Sequence, residues 1–182
     1  MQRSEENRAK KIPNWSGKGQ QRKKSEISGG SISKMIIAMA ADHGGFELKN
    51  KVKEHLREMK DENGENYKIV DLGTNSPDSV DYPVYGKMCA EAVASGKAQL
   101  GLVFCGSGIG ISIAANRIKG VRCALVHSVE LARLAKQHNN ANMLAMGGRF
   151  TDPDLALEMV DAWLSEKFEG GRHERRIAML EK

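Results

Sequence analysis

Three alternating glycines interleaved with a serine and an isoleucine follow a cysteine, Cys105-Gly106-Ser107-Gly108-Ile109-Gly110, directly after the apolar run Leu100-Gly101-Leu102-Val103-Phe104. A strand that runs into a glycine loop and then a helix gathers backbone N–H groups and a helix N-terminus, and anions are drawn there because both present positive charge. The spacing is G-x-G-x-G. Dinucleotide sites need G-x-G-x-x-G and phosphate loops need Gly-Lys-Ser/Thr, so no nucleotide cofactor is indicated. The same glycines would also serve tight packing at a strand-to-helix turn, and spacing alone leaves both readings open.

Three more loops and one helix end carry polar residues in unusual concentration: Asp42-His43-Gly44-Gly45, Gly73-Thr74 leading to Asp81-Tyr82-Pro83, Gly147-Gly148-Arg149, and Gln137-His138-Asn139-Asn140. The elements that must position them alternate in type. Short, nearly continuous apolar runs at 35–41, 68–72, 100–105, 121–126 and 143–146 suit parallel strands covered on both faces. Helical periodicity falls between and after them, at 46–60, 85–95, 109–118, 129–137 and 153–168, with a short final helix over 172–182. Thr151-Asp152-Pro153 supplies a cap and an N1 proline, and Gly170-Gly171 marks a helix end. Ligands of open parallel sheets gather beyond the carboxyl ends of the strands, where the loops after 41, 72, 105 and 146 fall. The 137–140 cluster is expected near the same rim.

Composition bounds the possibilities. The 182 residues, 40% of them hydrophobic, suffice for one ordinary core and not for two. No run approaches the roughly 20 apolar residues of a membrane helix, and no secretory h-region opens the chain, so a soluble, intracellular, cytoplasmic protein is expected. Cys89, Cys105 and Cys123 are an odd count in no metal-like spacing, which argues for reduced thiols without a disulfide framework or zinc site. Of the net charge of +5, residues 1–34 carry nine Lys/Arg against three Glu, or +6, which leaves −1 for residues 35–182. This opening stretch is basic, rich in Ser and Gly and poor in large apolar residues, and reads as a disordered extension ahead of a domain at 35–182. It is either a solvated tail or a nucleic-acid or targeting arm; Glu5 and Glu6 argue against a transit peptide.

The stretch Cys105-Gly-Ser-Gly-Ile-Gly-Ile-Ser-Ile-Ala-Ala-Asn-Arg117 resembles the signature of the family of type B ribose-5-phosphate isomerases and galactose-6-phosphate isomerases. The resemblance continues through Asp42-His43-Gly44-Gly45, Asp81-Tyr82-Pro83, Gln137-His138-Asn139, Asn142-x-Leu144-Ala145-x-Gly147, Asp161-Ala162-Trp163-Leu164 and Glu169-Gly170-Gly171-Arg172-His173-x-x-Arg176. It spans essentially all of 35–182. The opening 34 residues have no counterpart, and 60–67 is longer than usual, as a surface loop would be. The resemblance implies an α/β fold, a single-domain Rossmann-like three-layer sandwich with a five-stranded parallel sheet and a C-terminal helix. It implies an aldose-ketose isomerase without metal or cofactor that interconverts D-ribose 5-phosphate and D-ribulose 5-phosphate through a cis-enediolate, in the non-oxidative pentose phosphate pathway.

Each implied role can be set against its chemistry. Moving hydrogen between C2 and C1 needs a base whose pKa lies near the working pH. Cys105 matches the family's base, and a thiol that titrates near 8.5 when free is lowered by a helix N-terminus. Cys89 and Cys123 read as inert apolar thiols. The N–H groups from Gly106 through Gly108 and Ile109 to Gly110 match an oxyanion hole for the enediolate oxygens. Ser107 assists there, or caps the following helix. His138 matches the residue that opens the sugar ring, although a histidine at a helix end also complements the dipole. Asp42 orients ring hydroxyls, and Asn139 and Tyr82 match substrate contacts. His43, Arg149, Arg172 and Arg176 match the phosphate set, and Arg172 and Arg176 face the same way one turn apart. A solvated basic face is the alternative for the last two. With these cations for the phosphate, the glycine loop is left for the enediolate.

The resemblance also implies a homodimer, or a dimer of dimers, whose active site draws on both subunits, with the C-terminal helix reaching the neighbour. Three alternatives stand beside ribose 5-phosphate. A six-carbon substrate such as galactose 6-phosphate or allose 6-phosphate is disfavoured because galactose-6-phosphate isomerases of the family divide the work between two different subunits. A non-catalytic sugar-phosphate sensor is disfavoured by the joint presence of Cys105, Ser107, His138 and Asp42. A nucleic-acid-binding protein is disfavoured by the −1 charge of the domain.

Overall fold

The apolar runs become five strands in the computed structural model, which describes residues 34–180. They are β1 (Ile36–Ala41), β2 (Lys68–Asp71), β3 (Leu100–Cys105), β4 (Cys123–Leu125) and β5 (Met143–Gly147), all parallel, in the order β2-β1-β3-β5-β4. The helices are α1 (Phe46–Glu58), α2 (Tyr82–Ala94), α3 (Ile109–Ala115), α4 (Val129–Asn139), α5 (Pro153–Ser165) and α6 (Arg172–Ile177). The basic extension read into 1–34, apart from Lys34, and the last two residues of the expected final helix lie outside the described residues.

Right-handed crossovers decide which helix covers which face. The chain steps one way from β1 to β2 and from β4 to β5, and the other way from β2 to β3 and from β3 to β4. So α1 and α4 share one face, α2 and α3 the other. Both faces are dry. Leu48, Val52 and Leu56 of α1 pack with Ala132 and Ala135 of α4 and Met159, Val160 and Trp163 of α5. On the other side Cys89, Ala90 and Val93 of α2 meet Ile111 and Ala115 of α3. Trp163 is fully buried and donates Nε1–H to the Ala141 carbonyl at 3.2 Å, fixing the start of β5 against α5. Truncating a tryptophan so placed typically costs about 3–5 kcal/mol.

Element boundaries differ from expectation where side chains intervene. Helix α2 begins at Tyr82, three residues earlier than expected, because Pro83 presets the first turn. Helix α1 stops at Glu58, since Met59 turns extended and Lys60 bridges to Asn66. The loop between is closed by Asp61, whose Oδ1 accepts the N–H groups of Asn63 and Glu65. Strand β4 shrinks to three residues: Asn142 takes the Arg122 N–H, and Asn116 brackets Cys123 by accepting its N–H and donating to its carbonyl. Helix α4 runs two residues further than expected, and Asn140, at φ 43°, ends it. Helices α3, α5 and α6 are each shorter than their periodicity suggested. Among the described residues no helix is long and apolar enough to cross a membrane.

Candidate active site

The sheet makes its crevice at β1 and β3. These neighbours send their following helices to opposite faces, so the loops beyond their carboxyl ends part and leave room for a ligand. There lies a pocket of about 260 Å³ lined by Asp42, His43, Tyr82, Cys105, Gly106, Ser107, Gly110, Arg149 and Phe150. It therefore unites loops after β1, β3 and β5 with the first turn of α2.

Cys105 is the last residue of β3 and only 4% exposed. Its Sγ accepts the Gly108 N–H at 3.1 Å, and Ser107 Oγ accepts the Ile109 N–H at 3.3 Å. Gly108 itself sits at φ 77°, a left-handed conformation that favours glycine. Two of the N–H groups that the sequence reading assigned to the enediolate thus already serve the loop's own side chains. The N–H groups of Gly106 and Ser107 find no partner among the described residues, and both residues line the pocket. The loop is braced from β5: Gly148 N–H donates to the Cys105 carbonyl at 2.8 Å and Arg149 N–H to the Gly106 carbonyl at 3.1 Å. A Cβ on Gly148 would stand 2.4 Å from the Gly44 carbonyl oxygen, so the loops after β1 and β5 touch directly.

Asp42 is buried, its N–H paired to the Phe104 carbonyl at 3.0 Å and its Oδ1 accepting the Gly45 N–H at 3.0 Å. His43 Nδ1 accepts the Val80 N–H at 3.3 Å. That bond places the proton of a neutral His43 on Nε2, where it can be donated. The Arg149 guanidinium lies about 3.3 Å from where a Gly106 Cβ would be, and the Tyr82 ring covers Gly110. The other two thiols are inert, since burial pushes Cys89 up and raises Cys123 to about 12.

The remaining candidates are elsewhere. His138 and Asn139 end α4, which runs down to the start of β5 and so to the opposite rim of the sheet from Cys105. Cys105 pairs with Gly147 and Gly101 with Met143, four residues apart, or roughly 13 Å of strand. The shared rim expected from sequence is not met within one chain. Around His138 the C-terminal segment folds back: Glu169 N–H donates to the Gln137 carbonyl at 3.0 Å, and the His138 and His173 rings stack at 4.3 Å, 5° from parallel. Arg172 and Arg176 are exposed beside them on α6. His138, Glu169 and His173 offer ligand atoms within 4.8 Å of one another, the donors a divalent ion takes. They do not fit one here. Imidazole lone pairs lie in the ring planes, stacked planes do not converge on a point, and Arg172 Nε–H already donates to His173 Nε2 at 3.4 Å.

Burial, then the neighbouring His138 and Arg172, hold His173 below the ordinary histidine value of 6.5. A depressed native pKa means the unfolded chain binds the proton more readily, so this contribution is complete above pH 6.5 and is lost as pH falls through the native value. Amide exchange in α6, corrected for the intrinsic pH effect, is expected to quicken between pH 7.5 and 5.5, and His173→Gln to flatten that change. An α6 equally protected at both pH values would refute it.

A larger hollow, about 550 Å³, opens beside β4 and is lined by Asn116, Arg122, Asn139 and Leu180 among others. It holds none of the chemistry of the Cys105 pocket. Two features of that pocket escaped the sequence reading. Phe150, 81% exposed at its mouth, follows Arg149 and was signalled only by an aromatic in a loop. The Val80 bond to His43 joins residues 37 apart and left no local signal.

The chain matches the Ribose/Galactose Isomerase family over residues 37–180. It is 43% identical over 144 residues to ribose-5-phosphate isomerase B of Escherichia coli, covering 79% of this chain and 93% of that one. Among solved structures, ribose 5-phosphate isomerase B of Thermotoga maritima is 47% identical with a TM-score of 0.75, over 81% of this chain and 97% of that one. The Mycoplasma genitalium ribose-5-phosphate isomerase B, solved with bound ribulose-5-phosphate, is 40% identical with a TM-score of 0.74, over 81% and 94%.

Proposed function

As a member of the ribose/galactose isomerase family this chain is an aldose-ketose isomerase of a sugar phosphate, and we propose that its substrate pair is D-ribose 5-phosphate and D-ribulose 5-phosphate. The observation that carries the reading is Cys105 at the end of β3, its sulfur at the floor of a pocket whose walls are Asp42, His43, Ser107 and Arg149.

The open-chain aldose loses a proton from C2 to the Cys105 thiolate and regains it at C1. Negative charge that builds on the enediolate oxygens meets the N–H groups of Gly106 and Ser107 and the Ser107 hydroxyl. Gly108 N–H donates to the sulfur rather than to the substrate and so holds it in place. His43, through Nε2–H, and Arg149 take the phosphate, while Asp42 and Tyr82 hold sugar hydroxyls. This cycle needs no metal and no cofactor.

A second copy completes the site. Its His138 opens the ring, its Asn139 contacts the sugar, and its Arg172 and Arg176 close on the phosphate, since these stand at the far rim of their own sheet. Exposed apolar side chains suit such a partner: Ile109 and Ile113 of α3, each about half exposed, Leu125 at the end of β4, and Phe150 in the pocket lining. An exposed apolar patch beside a polar pocket is what a subunit contact requires. The enzyme would then act as a homodimer, or a dimer of dimers, in the cytoplasmic non-oxidative pentose phosphate pathway.

The test is turnover by the purified full chain on ribose 5-phosphate, galactose 6-phosphate and allose 6-phosphate, with and without chelator. The expected result is the highest kcat/KM on ribose 5-phosphate and no chelator effect. Preference for a six-carbon aldose phosphate would reassign the substrate. Binding without turnover would make the chain a sensor, and chelator sensitivity would contradict metal-free chemistry.

A further inference from the structure

We propose that Lys49, a lysine of α1 that lines no part of the pocket, is a positioning residue for phosphate recognition, because its ammonium ties down the 71–80 segment that aims His43. The inference rests on the phosphate role of His43 given above.

Lys49 is 0% exposed. Its Nζ donates to Asp71 Oδ1 and to the Thr74 carbonyl, both at 2.7 Å. Asp71 accepts two more bonds: Oδ1 takes the Gly73 N–H at 3.1 Å, and Oδ2 takes Lys53 Nζ at 2.7 Å. Burial pushes Lys49 below the ordinary lysine value against the pull of Asp71. Burial alone would raise Asp71, but the bonds from Lys49, Lys53 and Gly73 hold it below 3.8. The two side chains form an ion pair with Lys49 Nζ 2.7 Å from Asp71 Oδ1.

A buried ion pair is weak as a device for stability, because desolvation offsets most of its attraction and apolar residues of like size often do as well. What this pair holds is therefore informative. The Gly73–Thr74 peptide, next to the carbonyl it grips, pairs on both sides with the residue before Asp42: Ala41 N–H donates to the Gly73 carbonyl at 2.7 Å, and Thr74 N–H to the Ala41 carbonyl at 2.8 Å. Six residues beyond Thr74, Val80 N–H meets His43 Nδ1 and selects the tautomer with Nε2–H toward the pocket. Lys49 anchors the near end of the segment whose far end orients His43. Asp42 has a second brace through Phe104, and the Cys105 loop is braced through β5, so the chemistry at C1 and C2 keeps its supports without this anchor.

The effect should therefore fall on phosphate affinity and not on turnover. Lys49→Met in the full chain is expected to raise KM for ribose 5-phosphate and Ki for inorganic phosphate together, by about fivefold, as for one weakened charge-assisted hydrogen bond. It should leave kcat within about twofold, because uniform binding is lost. Lys49→Gln, which keeps a donor for Thr74, should lie between, and it serves as the test if Lys49→Met fails to fold. In a His43→Ala background Lys49→Met should add nothing, since the two act in series. Imidazole ¹⁵N shifts of His43 in the unmutated protein should report the Nε2–H tautomer. Unchanged KM and Ki, a fall in kcat at constant KM, additivity with His43→Ala, or an Nδ1–H tautomer each overturns the proposal. If His43→Ala itself leaves KM unchanged, the phosphate role of His43 fails instead.

Discussion

Cys105→Ala is expected to lower kcat on ribose 5-phosphate by about 10²–10⁴-fold, the range that a positioned base contributes to proton transfer. The sulfur lies in the pocket at the end of β3, where the proposed proton transfer takes place, and alanine keeps the backbone that β5 braces. The loss should appear in kcat with little change in KM or in the melting temperature, because phosphate contacts and the core are left in place. Cys89→Ala and Cys123→Ala are the controls. Their thiols are buried between sheet and helices, and removing them should change stability without touching kcat. Full activity in Cys105→Ala would remove the thiol from the mechanism, and an equal loss in the controls would assign the effect to packing.

The second large effect is one of recovery. Cys105→Ala and His138→Ala are each expected to be nearly inactive alone, yet a mixture unfolded and refolded together should regain about a quarter of wild-type activity. In a two-fold symmetric pair each site takes Cys105 from one copy and His138 from the other, so half of randomly paired dimers carry one intact site of their two. If both residues acted within one chain, mixing would restore nothing. The roughly 13 Å of strand between the two rims argues for the first outcome.

Much of this arrangement could be read from the chain alone. Leu100–Cys105 is apolar throughout because it is buried on both faces at the centre of the sheet, and its glycine punctuation placed Cys105 at a strand end. The loops after β1 and β5 followed from the same rule, and Asp42, His43 and Arg149 do line the Cys105 pocket. His138 was misplaced for a reason present in the pattern: a crossover helix ends where the next strand begins, so a helix C-terminus and a strand C-terminus occupy opposite rims. Tyr82 was found as a motif residue while its helix was started too late, because apolar periodicity is weak there and Pro83 is the true signal. The short β4 was not legible, since Asn116 closes its backbone from outside the strand. The Lys49 anchor falls within the helical stretch 46–60 with no local signal to set it apart. A lysine at helical spacing normally faces water, and only the fold reveals that this one points at Asp71.

The length of β5 acts as a ruler. It sets the gap between the thiol at one end and the imidazole at the other, and no rotamer change or loop motion inside a single chain can close it. A site that takes its thiol from one copy and its imidazole from another would have a rate law that depends on the enzyme's own concentration. If a second copy supplies the imidazole, as proposed, specific activity should stay constant while copies remain associated and decline on dilution below their dissociation constant, and added substrate should shift the balance back by bridging both chains.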